Sequence, residues 1–151
     1  MAPTSPSPVV LVVEDDQRDA DRIRRILAEY GVALRIFPRA FEAIAYLQQE
    51  GGEPETAPPA LVLLDWKLPG GGASVLETIR EADDLKVTPV VVLSGSSARA
   101  DVEAAYSGHA NAFVVKPADL DEYHAKLTGI CDLFLRIAES PYLQQAKLGG
   151  P

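Results

Sequence analysis

The chain has 151 residues, 47% of them hydrophobic and 24% charged, with one cysteine and a formal net charge of -8. That length suits one domain around a single core, and the composition excludes wholesale disorder and fibrous repeats. The acidic balance and the lack of a basic stripe argue against direct nucleic-acid binding, while Cys131 alone builds no disulfide framework and no cysteine zinc site and reads as a buried structural thiol.

Residues 1–8 are rich in Pro and Ser, carry no basic residue and lack a long apolar run, which predicts a flexible tail and neither a secretory signal nor an anchor. No apolar run in the chain reaches membrane-spanning length, so the expected location is the cytoplasm. Val9 to Val13 is an uninterrupted apolar run of the kind buried on both faces of a parallel sheet. Ala20, Ile23, Ile26, Leu27 and Tyr30 then share a helical face, with Asp16 as its N-cap and Gly31 as its stop. Ala33 to Phe37 alternates in the manner of an edge strand, and Phe41, Ile44, Ala45 and Leu47 mark a second helix ahead of a surface loop, Gly51 to Pro59.

Ala60 to Leu64, Pro89 to Leu93 and Asn111 to Val115 are further strands. Val75, Leu76 and Ile79 define a third helix, and Val102, Ala105 and Tyr106 a weaker fourth. Leu120, Tyr123, Leu127, Ile130, Phe134 and Ile137 step by three and four, the strongest helical pattern in the chain. This last helix is expected from Asp119 to about Glu139, roughly 30 Å long, and ends at Ser140-Pro141. It is longer than a sheet of five-residue strands needs, so part of it should project. The apolar trio Leu133, Phe134 and Leu135 calls for a partner surface, unless the tail folds back on its own domain. The expected organisation is a tail (1–8), one domain (9–139) and a carboxy-terminal extension (140–151).

Strands alternating with helices imply a doubly wound α/β fold, a five-stranded parallel sheet with helices on both faces and an extended C-terminal helix. The usual strand order for that size is 2-1-3-4-5, with ligands beyond the carboxyl ends of strands one and three, where the order reverses. Glu14, Asp15 and Asp16 follow the first strand and Asp65 follows the third. Carboxylates that converge there repel one another, and a hard cation with oxygen ligands, magnesium by its preference for few carboxylates, water and a phosphoryl oxygen, relieves this. Ser94-Gly95-Ser96-Ser97 after the fourth strand supplies hydroxyl and N–H groups, and Lys116-Pro117 after the fifth supplies an ammonium. Acids for a metal, an acceptor carboxylate, a hydroxyl and a cation at separate strand ends are the parts that phosphoryl transfer needs.

The motifs VVLVVEDD, LVLLDWKLP, VVVLSGS and NAFVVKP, in that order, resemble the receiver domain of two-component response regulators over about Val9 to Phe134. The resemblance implies a flavodoxin-like receiver fold in which Asp65 is the phosphoacceptor for a phosphohistidine of a sensor kinase. It implies that Asp15 ligates magnesium directly, Glu14 through water, and Lys67 through its backbone carbonyl, with Asp65 as a further ligand. Lys116 neutralises phosphoryl charge, Ser94 swings in to bond a phosphoryl oxygen, and Phe113 is the aromatic switch, altering a face made by the fourth helix, fifth strand and fifth helix. The same resemblance implies a cis Lys116–Pro117 bond, while Lys67, a departure from the commonest pattern, is expected to put a cationic side chain close to the phosphoryl group. Gly70, Gly71, Gly72 and Ala73 depart from the family's usual residues after the proline.

The segment GHANAFVVKPADLDEYHAKLTGICDLFL is similar to response regulators that partner bacterial and cyanobacterial phytochromes. That implies a bacteriophytochrome kinase upstream and a homodimer through the fourth and fifth helices, fifth strand and extension. Leu135 to Pro151 is too short for an output module, so a stand-alone receiver is expected, one that catalyses only its own phosphorylation and dephosphorylation or passes phosphate to a histidine phosphotransfer protein. EDD after the first strand is not the phosphate loop of a flavoprotein, and Lys67 stands where a haloacid-dehalogenase-type phosphatase carries its second aspartate. The rival reading is a receiver-like dimeric scaffold that is never phosphorylated.

Overall fold

The computed structural model describes residues 7–48 and 58–141. Residues 1–6, most of the Gly51 to Pro59 loop and residues 142–151 of the expected extension lie outside the described residues. The elements alternate along the chain: β1 Val9–Val13, α1 Gln17–Leu27, β2 Ala33–Phe37, α2 Ala40–Leu47, β3 Leu61–Asp65, α3 Gly72–Glu81, β4 Val90–Ser94, α4 Arg99–Ser107, β5 Ala112–Val115, α5 Leu120–Asp132 and a π-helical turn, Leu133–Ile137. The five strands are parallel in the order β2-β1-β3-β4-β5, as the sequence predicts.

Period-two alternation sorts each strand's apolar residues onto two faces. Leu11, Val13, Val62, Leu64, Val90 and Val92 meet Ala43 and Leu47 of α2, Val75, Leu76 and Ile79 of α3, and Ala105 of α4. Val10, Val12, Leu61, Leu63, Val91 and Leu93 meet Ile23, Ile26 and Leu27 of α1 and Tyr123, Leu127 and Cys131 of α5. Cys131 is thus a buried core thiol, whose burial pushes its pKa up to about 12. Asp16 caps α1 by accepting the N–H groups of Arg18 and Asp19 at 2.9 and 3.1 Å, and Asp119 caps α5 in the same way.

β3 and β4 each begin and end one residue later than their apolar runs suggest. Pro89 has no N–H for the ladder, and pairing continues at the other end through Asp65 opposite Leu93, with the Trp66 N–H on the Leu93 carbonyl at 3.1 Å. Asp65 and Ser94 are therefore strand residues held by the sheet. In α2 the buried stripe is Ala40, Ala43 and Leu47, so Phe41, expected inside, is 65% exposed.

The last helix stops at Ile137, two residues short of Glu139, because Ala138 turns to extended backbone. The wider π turn lets Phe134 and Leu135 both reach the α1–α5 core, leaving Leu133 and Ile137 exposed. Asp132 accepts the Tyr30 hydroxyl at 2.6 Å and Arg136 lies 4.1 Å over the Tyr30 ring, so this end of the chain is fastened to the region after α1. The Lys116–Pro117 bond, expected cis, is trans, the isomer that is intrinsically favoured even before proline. At the outer edge of β5 the Tyr106 hydroxyl accepts the Phe113 N–H at 3.2 Å, and Lys126 Nζ donates to the Val115 carbonyl at 3.2 Å. No described helix is long and apolar enough to cross a membrane.

The unusual glycine run after Pro69 has a steric cause. Gly71 has φ 82°, a region that favours glycine, and a Cβ on Gly72 would sit 2.8 Å from the Asp65 carbonyl oxygen and 2.9 Å from Trp66 Cα. The start of α3 thus lies against the strand end that carries Asp65. Gly72→Ala is expected to destabilise the fold by about 2 kcal/mol in urea denaturation, the scale of an overpacked site. Gly95→Ala, whose Cβ would meet nothing within 4 Å, should stay within about 0.5 kcal/mol of the parent.

Candidate functional site

Parallel strands end together, so the groups that follow β1, β3, β4 and β5 share one rim of the sheet. Glu14 leaves β1 with its N–H on the Phe37 carbonyl at 3.0 Å, and its side chain is buried. Asp65 closes β3 and is also buried, while Asp15 is exposed at the mouth. One carboxylate oxygen from each of Glu14, Asp15 and Asp65 lies within 4.8 Å of the others. Lys116, just past β5, brings its Nζ to 2.5 Å from Glu14 Oε1, 3.0 Å from Asp19 Oδ2 and 3.8 Å from Asp65 Oδ1.

Charge at this rim is unevenly balanced. Burial, and after it the Asp65 carboxyl alongside, raise the Glu14 pKa to about 8, because the single ammonium of Lys116 does not offset both. Asp15 is raised as well, by desolvation and then by Asp65. Burial alone would lower the Lys116 pKa, but Glu14, Asp65 and Asp19 outweigh it and hold the ammonium firmly charged. Three carboxylates with hard oxygen donors and one partner cation therefore form a set deficient in positive charge. That donor chemistry fits a hard divalent cation.

Ser94 is fully buried at the end of β4, where its Oγ accepts the Ser96 N–H at 3.1 Å and its carbonyl accepts the Lys116 N–H at 2.7 Å. The Lys67 N–H donates to Asp65 Oδ1 at 3.3 Å, and its backbone is thus beside the Asp65 carboxylate. Its side chain is not: the Lys67 ammonium pairs with Asp101 of α4 at 3.0 Å, where a fixed carboxylate is available at the helix start. Phe113 lies on β5, partly buried against the α2–α3–α4 side of the core. The structure thus gathers Glu14, Asp15, Asp65 and Lys116, sets Ser94 on the adjoining strand end, and places Phe113 further along the edge strand.

Two residues escaped the sequence reading. Asp19 joins the Lys116 ion pairs because it stands one helical turn beyond Asp15, a spacing visible in the sequence but indistinguishable from an ordinary acidic first turn. Helical spacing assigns Tyr106 to an apolar face, whereas it is half exposed and serves β5 through its hydroxyl.

Comparison with known proteins agrees with this geometry. The family model described as "Response regulator receiver domain" matches residues 10–128. Response regulator Rcp1 of Synechocystis sp. is 34% identical over 141 residues, covering 91% of this chain and 96% of its own. A crystal structure of the phosphorylated cyanobacterial phytochrome response regulator RcpA is 34% identical, covers 89% of this chain and 99% of its own, and superposes with a TM-score of 0.85. The Mn2+-bound form of response regulator Rcp1 is likewise 34% identical, with 90% and 99% coverage and a TM-score of 0.83. The chain belongs to the response regulator receiver domain family.

Proposed function

We propose that the chain is a phosphorylation switch: Asp65 accepts a phosphoryl group from a phosphohistidine of a sensor histidine kinase in a magnesium-dependent reaction. The observation that carries this reading is the meeting of Asp65 with two further acids and one ammonium at a single sheet rim. A carboxylate oxygen of Asp65 bonds to phosphorus as the phosphorus–nitrogen bond of the phosphohistidine breaks, and the imidazole, already protonated at its other ring nitrogen, leaves as the neutral base. Glu14, Asp15, Asp65 and the Lys67 backbone carbonyl would hold magnesium. When bound, it supplies positive charge between the acceptor carboxylate and the incoming phosphoryl oxygens. Lys116 is close enough to shift from the carboxylates to a phosphoryl oxygen, and Ser94 has a hydroxyl hydrogen to offer once it turns from its Ser96 contact.

The output is a change in the α4-β5-α5 face. Two connections lead there: the Ser94 loop, which precedes α4, and the Lys67–Asp101 pair, which ties the residue two beyond Asp65 to α4. Phe113, on the strand between α4 and α5, is the side chain whose packing changes. Exposed Tyr106 and Leu120 on this face, with Leu133 and Ile137 beyond it, favour a homodimer. The kinase is a bacteriophytochrome, a reading supported by the likeness to RcpA, itself a phytochrome response regulator. The protein acts in the cytoplasm, binds no DNA directly, catalyses only its own phosphorylation and dephosphorylation, and is able to pass phosphate to a histidine phosphotransfer protein.

Incubation with acetyl phosphate and magnesium is expected to add one phosphoryl group by intact mass, and none in EDTA or in Asp65→Asn. Lys116→Met should label at least about ten-fold more slowly, the loss expected for a charge-assisted hydrogen bond. Absence of label on the parent protein would favour the unphosphorylated dimeric scaffold instead.

The raised Glu14 pKa sets a pH dependence. Below about 8 a proton competes with the cation for Glu14, so magnesium affinity, followed by the fluorescence of Trp66 beside Asp65, should rise from pH 6.5 and flatten above pH 8. Without a cation the folded state retains this proton after the unfolded chain has lost it. The contribution to stability is therefore complete below about 4.5 and disappears as pH climbs through about 8. Magnesium should accordingly raise Tm more at pH 8 than at pH 6.

A further inference from the structure

One of the three carboxylates that hold Lys116 lies outside the candidate cation-binding trio. Asp19 is not among Glu14, Asp15 and Asp65, whose oxygens converge. It stands in the first turn of α1, where the N-cap Asp16 accepts its N–H at 3.1 Å and fixes its backbone. Its two oxygens have separate partners, Lys116 Nζ on Oδ2 at 3.0 Å and Arg22 Nη1 on Oδ1 at 2.9 Å. Arg22 in turn lies over the Tyr123 ring of α5, 5.6 Å from its centroid. With side chains only 14% and 19% exposed, Lys116 and Asp19 are screened less by solvent than a surface pair.

Building on the phosphoacceptor reading, we propose that Asp19 is a positioning residue for Lys116: it anchors the ammonium on the α1 side of the rim and sets how readily that lysine is released to the phosphoryl group. The ammonium stands 3.8 Å from Asp65 Oδ1, within reach of it but bonded elsewhere. A cation that draws Glu14 and Asp65 toward itself leaves Asp19 as the carboxylate whose hold on Lys116 it does not contest. Moving the ammonium onto a phosphoryl oxygen must stretch the Asp19 bond, so this ion pair opposes the phosphorylated arrangement.

The test is a double-mutant cycle on the full chain, with the rate of labelling by acetyl phosphate at saturating magnesium as its readout. Asp19→Asn should label about three-fold faster than the parent, the effect of removing one partly shielded ion pair. In a Lys116→Met background the same substitution should leave the residual rate unchanged, which a merely structural role of Asp19 would not do. A labelled parent with an unchanged Asp19→Asn rate, or an equal effect in both backgrounds, overturns the proposal. An unlabelled parent means instead that the phosphoacceptor reading has failed. The contact is then judged by acylation of lysine amines with acetic anhydride, read by peptide mass spectrometry. Asp19→Asn should raise acylation of Lys116 relative to Lys86 by about three-fold, because an ammonium that loses its anion gives up its proton more easily. No change in that ratio overturns the proposal.

Discussion

The contact between Lys116 and Glu14, an ion pair whenever Glu14 has given up its proton, is the constraint around which the rim is arranged. Both groups are taken out of water, a costly step that one contact in a mixed environment repays only with additional partners. The ammonium finds these in Asp19 and, at longer range, Asp65; the glutamate gains one cation while facing another acid. What results is a shielded cluster whose charge is incomplete, and its residues are held in place by strands that end at a common level. The apolar clusters on both sheet faces supply that rigidity, for every β1, β3 and β4 residue is buried.

The rim is also fastened to helices on both sides of the sheet. Asp19 connects Lys116 with α1 and, through Arg22 and the Tyr123 ring, with α5. Lys67 connects the β3–α3 loop with α4, and Ser94 connects β4 with β5 through its carbonyl. The strands are fully packed, whereas single ion pairs and hydroxyl contacts are the restraints on the loops and helix starts around Asp65.

Much of this was legible in the amino-acid sequence. Uninterrupted Val and Leu runs specify buried parallel strands, and the acids, the serine and the lysine that follow them fall at the strand ends whatever the details of packing. The misreadings are local. Phe41 was placed inside because an apolar residue beside Ile44 and Leu47 satisfies helical spacing, yet small Ala40 and Ala43 are what the close approach to the core accepts. The register of β3 and β4 depends on which backbone groups find partners, which apolar content does not report. Arg22 of α1 meets Tyr123 of α5, Asp19 of α1 meets Lys116 beyond β5, and the Lys67 ammonium turns to a helix distant in sequence, contacts that arise only once the chain has folded.

β5 lies at an open margin of the sheet, and such margins invite a strand from another molecule to add on. Here the Tyr106 hydroxyl occupies the Phe113 N–H and the Lys126 ammonium occupies the Val115 carbonyl, each reaching over from a flanking helix. Both ends of the strand's outer backbone are thus already engaged. A strand adding on along this margin would have to displace both contacts first, so the two helix side chains act as a cover for the β5 edge.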